Sequence, residues 1–189
     1  MKKRVGILGG TFNPPHLGHL IIANEVYQEL ELDEVRFMPN HEPPHKKESG
    51  VISGKHRIEM LRIAIKDHPA FSIEPIELER KGKSFSFDTI QLLKSREPET
   101  EFFFIIGADM IEYLPKWHKI EELIEMVQFV GVGRPEYSQV TEYPVLLIDI
   151  PEIDISSTVI RGRIQERKSV QYLVPEQVIS YIEEKSLYE

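Results

Sequence analysis

The sequence has no cysteine, which removes disulfide bridges and cysteine-ligated zinc from consideration. No apolar run approaches the roughly 20 residues needed to cross a bilayer. The basic start Met1-Lys2-Lys3-Arg4 leads only into the short stretch Val5 to Leu8, which ends in glycines. That pattern reads as a first strand and not as a signal peptide. Positive charge is also short: 23 Lys and Arg stand against 31 Asp and Glu, a formal net charge of −8. Broad nucleic-acid binding is thereby disfavoured, but a small phosphorylated ligand is not. The glycines match neither G-x-G-x-x-G nor G-x-x-x-x-G-K-[ST], so a hydride-transfer enzyme or a P-loop kinase is poorly supported. Internal repeats, low-complexity segments and linkers are lacking as well. What remains is 189 residues, 41% hydrophobic and 29% charged. One domain over residues 1–189 with one core is expected, and a cytoplasmic enzyme is the plain reading.

Strand and helix signals alternate along the chain. Val5 to Leu8 predicts a buried strand. Leu20, Ala23, Val26, Tyr27 and Leu30 share one helical face. Val35 to Met38 predicts a second strand, stopped by Pro39, and Asn40 to Gly50 a long loop of functional character. Ser53 can cap a helix carrying Ile58, Leu61 and Ile65. Phe71 to Glu74 reads as a strand, with Ile76 to Glu79 a possible extension after Pro75. Asp88 or Ser86 can cap a helix through Leu92 and Leu93. Phe102 to Ile106 is apolar throughout, as a central parallel strand covered on both faces would be. A helical region runs through Trp117 to Met126, and strands follow at Val127 to Val132 and Val145 to Ile148. Ser157 begins a helix with Val159, Ile160 and Ile164, and Pro175 opens a terminal one with Val178, Ile179 and Ile182. This alternation predicts an α/β fold: a Rossmann-like, doubly wound parallel sheet with helices on both faces. Such a sheet binds ligands beyond its C-terminal strand ends, where the strand order reverses.

The unusual residues fall at those ends. After the first strand comes Gly9-Gly10-Thr11-Phe12-Asn13-Pro14-Pro15-His16-Leu17-Gly18-His19. A Gly-rich turn lets backbone N–H groups approach a phosphate, and the helix that follows adds partial positive charge. Two histidines around Gly18 suit phosphate contact; a zinc site fails for want of a third ligand set. Far along the chain stands Ile155-Ser156-Ser157-Thr158-Val159-Ile160-Arg161. Its plain reading is a serine cap with Arg161 exposed. Its functional reading is a second anion site, where hydroxyls, N–H groups and a guanidinium meet at one helix start. Two anion sites from opposite ends of the chain suit a triphosphate. The basic clusters Lys46-Lys47, Lys55-His56-Arg57, Arg80 to Lys83 and Arg161 to Arg163 read mostly as solvated surface.

Together, Gly9 to His19 and Ile155 to Arg161 resemble the HxGH and ISSTxxR signatures of the nucleotidylyltransferase superfamily. The longer first motif is similar to that of the bacterial nicotinate-nucleotide adenylyltransferases. Pro44-His45-Lys46, Ser84 to Thr89, Gly107-Ala108-Asp109 and Trp117 extend the likeness over nearly the whole chain. One departure stands at Ser84-Phe85-Ser86-Phe87-Asp88-Thr89, where the family has Ser-Tyr-Thr-x-Asp-Thr. Phe85 lacks a hydroxyl and Ser86 keeps one, so a family contact there survives if it is made by backbone N–H.

The resemblance implies that nicotinate mononucleotide is joined to the AMP part of ATP, with release of pyrophosphate. The acceptor's own phosphate is the nucleophile and is already ionised, so positioning and charge stabilisation carry the catalysis. His16, His19 and Arg161 are the expected catalytic residues. Gly9, Gly10, Thr11, Phe12, Gly18, Gly107, Asp109, Arg134, Ser156 and Ser157 are expected at ATP. Asn13, Lys46, Phe85, Ser86, Asp109 and Trp117 are expected at the mononucleotide. For Trp117, a pyridine-stacking face competes with core packing. Magnesium (Mg2+) is expected on the ATP phosphates without a dedicated carboxylate cage, and a homodimer is the assembly implied. Rival readings are a related enzyme using nicotinamide mononucleotide or phosphopantetheine, a class I aminoacyl-tRNA synthetase fragment, and a non-catalytic nucleotide-binding regulator.

Overall fold

The computed structural model describes residues 2–41, 51–80, 85–133, 141–151 and 154–189, with backbone alone at 108 and 109. Six parallel strands form one sheet: β1 (Lys3–Gly10), β2 (Glu34–Pro39), β3 (Phe71–Ile73), β4 (Thr100–Gly107), β5 (Gln128–Val132) and β6 (Val145–Ile148). Their order is β3-β2-β1-β4-β5-β6. The chain therefore winds outward from β1 in one direction, returns, and winds outward from β4 in the other. The reversal falls between β1 and β4, and there the carboxyl ends of both strands leave a crevice.

Side chains alternate across β1 and β4, and that alternation builds two layers of core. Val5, Ile7, Phe102, Phe104 and Ile106 face one layer, with Phe87, Ile90 and Leu93 of α4 (Ser86–Arg96) and Leu123 of α6 (Ile120–Ile124). Leu8, Phe103 and Ile105 face the other, with Ala23 and Val26 of α1 (Leu17–Glu29) and Leu61 and Ile65 of α2 (Gly54–Ile65). Each fully buried large apolar side chain contributes about 1.5–3 kcal/mol, so the all-apolar run of β4 secures both layers at once. A third cluster joins Met60 of α2 to Ile160 of α7 (Ser157–Gln165) and to Val178 and Ile182 of α8 (Glu176–Glu184). It packs the last third of the chain against α2, away from the sheet.

Several local expectations are corrected. Ile76 to Glu79 is not a strand extension but part of a short helix, α3 (Ile76–Arg80), in which Glu79 N–H donates to the Pro75 carbonyl at 3.0 Å. Ile76 and Glu77 are both buried, so this stretch has no exposed alternate face for a strand to show. Neither Ser86 nor Asp88 caps α4: Phe85 holds the cap position without a side-chain bond, and Asp88 instead meets Arg80 at 3.4 Å. Helix α1 begins at Leu17, one turn before the apolar face that Leu20 and Ala23 open, which places Gly18 and His19 inside its first turn and His16 at the cap. Ser53 does cap α2, accepting from His56 N–H at 3.5 Å.

Candidate functional site

Strand β1 delivers the chain to the crevice through Gly9 and Gly10, which pair with Met38 and Pro39 of β2. A Cβ on Gly10 would stand 3.0–3.3 Å from three ring atoms of Phe12, so the glycine lets Phe12 fold back over the strand end. Phe12 accepts a left-handed backbone, φ 50°, to do so. Its buried ring packs beside Phe37 at 5.8 Å and edge-on to His19 at 4.9 Å. Phe12 thus serves the site as a wall behind a histidine.

The two histidine rings stack at 3.7 Å between centroids. His16 N–H donates to His19 Nδ1 at 3.2 Å. Because that nitrogen accepts, the neutral His19 ring carries its proton on Nε2, where it can donate. Burial lowers the His16 pKa to about 4. Burial also holds His19 well below the ordinary imidazole value, and the neighbouring His16 lowers it further. Both rings are therefore neutral at physiological pH in the free protein. Two imidazolium rings in this stack would repel one another, so the pair takes at most one proton readily. The standing positive charge at the site comes from arginine.

The two sequence motifs meet. Ser157 Oγ donates to the Pro14 carbonyl at 2.8 Å, and Arg161 donates to the Asn13 carbonyl at 2.9 Å. Ser156 Oγ caps α7 by accepting from Val159 N–H at 3.2 Å. Its own proton stays available for a ligand, while that of Ser157 is committed to Pro14. Leu17 N–H, at the head of α1, donates to the Leu173 carbonyl at 2.9 Å between α7 and α8. The starts of α1 and α7, two helix ends suited to anions, are thus joined through the Asn13–Pro14 peptide, which is cis.

The cytidylyltransferase-like family description matches residues 7–163. The nicotinate-nucleotide adenylyltransferase of Bacillus subtilis is 53% identical over 187 residues, covering 99% of each chain. A probable nicotinate-nucleotide adenylyltransferase of Geobacillus thermodenitrificans is 55% identical over 185 residues, covering 98% of this chain and 86% of that one. The chain belongs to the nicotinate-nucleotide adenylyltransferase family. The fold agrees: a solved structure of the Plasmodium falciparum nicotinic acid mononucleotide adenylyltransferase complexed with NaAD superposes with a TM-score of 0.80, at 20% identity, over 98% of this chain and 97% of that one.

Of the residues expected at the mononucleotide, Phe85, Ser86 and Trp117 lie on the side of the sheet that carries α4. Trp117 stands edge-on to Phe104 and Phe129, each at 5.8 Å, and its indole N–H has no partner among the described residues. Its ring is half-buried and packs against the core. Phe85 lies 4.8 Å from the His118 ring, and Ser86 opens α4. Gly107 ends β4 and caps the short α5 (Ala108–Ile111). Lys46, Arg134 and the side chain of Asp109 lie outside the described residues. Asn13 is 1% exposed, and its Oδ1 accepts from Tyr188 at 2.8 Å and from Ile52 N–H at 3.5 Å. That oxygen is spent inside the protein.

Two further residues reach the turn from outside the motifs. Arg57, read as part of a solvated cluster, is 2% exposed and donates to the Thr11 carbonyl at 2.8 Å. Its signal was available, because it falls one helical turn before Leu61 on the buried face of α2. Tyr188 had no signal: nothing local in the sequence says that it reaches residue 13.

Proposed function

We propose that this protein transfers the adenylyl group of ATP to nicotinate mononucleotide, giving nicotinate adenine dinucleotide and pyrophosphate in NAD biosynthesis. A phosphate oxygen of the mononucleotide attacks the α-phosphorus of ATP. The bond from that phosphorus to the oxygen bridging to the β-phosphorus breaks, and its electron pair leaves with pyrophosphate. No protein base is required. His19 donates from Nε2 to the α-phosphate, with His16 stacked behind it. Arg161, Ser156 and the N–H groups opening α7 hold the β- and γ-phosphates. Gly9, Gly10, Thr11 and Gly18 give close backbone approach, and Gly107, Asp109 and Arg134 complete the ATP side. Lys46, Phe85, Ser86, Asp109 and Trp117 surround the mononucleotide. Magnesium comes with the triphosphate, whose oxygens suit it as ligands. Among the described residues no group of three or more His, Cys, Asp or Glu is placed to hold a metal. A homodimer is the assembly we expect, and light scattering checks it.

The observation that carries this reading is the fastening of Ser157 and Arg161 onto the turn that ends in His16. One site then faces a triphosphate from two helix starts. The test is pyrophosphate release from ATP and magnesium with nicotinate mononucleotide, nicotinamide mononucleotide or phosphopantetheine as acceptor. Turnover is expected to be fastest with nicotinate mononucleotide. A preference for another acceptor would reassign the substrate, and ATP binding without pyrophosphate release would make the protein a regulator.

A further inference from the structure

From the contacts of the Thr11–Pro14 turn we infer that Tyr188 is a positioning residue for the phosphate site, acting through Asn13 on Arg161 and the histidine pair. The inference rests on the adenylyl-transfer reading above. Asn13 is held on two sides. Its side-chain oxygen accepts from the Tyr188 hydroxyl at 2.8 Å, and its carbonyl accepts from Arg161 at 2.9 Å. The amide plane that orients that carbonyl is therefore set in part by a phenol 175 residues away. Three residues on, the same chain reaches His16, whose N–H fixes the His19 ring. A tilt at Asn13 moves the guanidinium on one side and the imidazoles on the other.

The segment that carries Tyr188 is built to deliver it. After α8 the chain turns through left-handed backbone at Ser186, φ 47°, and at Tyr188, φ 69°. Between them Leu187 is buried in the third core cluster, and its N–H donates to the Ile182 carbonyl at 3.0 Å. Non-glycine residues take this conformation where the surroundings require it. Here the requirement is to seat Leu187 and aim the phenol at Asn13. The hydroxyl is the donor in that bond. Burial raises its pKa, and although Arg161 and Arg57 oppose the shift, the phenol remains protonated at physiological pH. A neutral O–H beside two guanidiniums ties down the turn without cancelling the charge that a triphosphate needs.

The test is Tyr188→Phe, which removes one oxygen and keeps the ring. Tyr181→Phe is the control. It removes a hydroxyl on α8 that bonds His56 Nδ1 at 2.8 Å, away from the turn. Activity is measured well below each variant's Tm. Tyr188→Phe is expected to lower kcat about tenfold and to raise KM for ATP several-fold, whereas Tyr181→Phe leaves both within twofold. In an Asn13→Ala background, Tyr188→Phe should add no further loss, because its route is already cut. The inference is overturned if Tyr188→Phe keeps kcat within twofold of the parent, if Tyr181→Phe matches its loss, or if the effects of Asn13→Ala and Tyr188→Phe multiply. Failure of the parent protein to release pyrophosphate with any acceptor would instead overturn the proposed function.

Discussion

At the scale of single residues, the stacked histidines decide what kind of catalyst this site is. His19 keeps its proton on Nε2 because the other nitrogen accepts from His16 N–H at 3.2 Å. His19→Ala should lower kcat by about 10²–10³ with an unchanged circular dichroism spectrum, the scale of one lost transition-state donor; near-normal turnover would remove the assignment. The depressed pKa of His16 has a consequence for stability. In the unfolded chain the ring takes up a proton near pH 6.5, and in the folded protein only near about 4. The unfolded state therefore binds more protons across that window. The His16 contribution is complete above pH 6.5 and is lost as pH falls toward 4. His16→Gln lacks this titration, so its Tm should fall less steeply than the parent's between pH 6.5 and 4. Trp117→Ala should raise KM for the mononucleotide more than for ATP. Equal effects on the two constants would leave Trp117 with core packing alone.

The elements of the site are joined by a few bonds between distant turns. Ser157→Ala removes the bond from the head of α7 to the Pro14 carbonyl. It should cost about 1 kcal/mol in denaturant unfolding and raise KM for ATP, while leaving KM for the mononucleotide nearly unchanged. Why some of these elements were legible and others not follows from what each depends on. Helix α7 could be placed from Ser156 and Ser157, because a cap is a local device read within four residues. Strand β4 could be placed from its unbroken apolar run. Helix α3 could not: Ile76-Glu77-Leu78-Glu79 alternates apolar and polar with a period of two, the pattern of a half-buried strand. Its choice of helix is made with Thr89, whose hydroxyl bonds Glu77 at 3.0 Å. The same division runs through the site. The glycines, histidines and Arg161 lie in contiguous motifs, whereas Tyr188 enters through a tertiary bond that no local pattern announces.

For the molecule as a whole, the sheet order places the site and an ion cluster steadies the far side. Arg36 of β2 binds Glu97, just beyond α4, at 2.6 Å and Glu34 and Glu74 at 3.3 Å. Burial pushes Glu34 up, but hydrogen bonds from Lys3, Ser72 and Arg36 outweigh it and hold the carboxyl at about 2. The Arg36 bond likewise lowers Glu97. Glu74, in contrast, is raised by burial despite the guanidinium. Removing the guanidinium takes from Glu74 and Glu97 the cation they share and leaves Glu34 with Lys3. Arg36→Met should destabilise the fold by about 2–4 kcal/mol at pH 7, with the gap to the parent narrowing as acid neutralises the carboxylates. Its Michaelis constants should not move, because the cluster is remote from the crevice.

The bonds at Asn13 and Pro14 also set a schedule. Their partners lie 143, 148 and 175 residues further along the chain. On the ribosome, β1 and its glycine turn are made well before α7 and the stretch beyond α8. Sheet pairing between β1, β2 and β4 can begin long before Ser157, Arg161 or Tyr188 exists. Until they do, the chain can hold a sheet without a competent phosphate site. Closing loops of such length is slow relative to local pairing, so catalytic competence should arrive as a late event in maturation, after much of the sheet has paired.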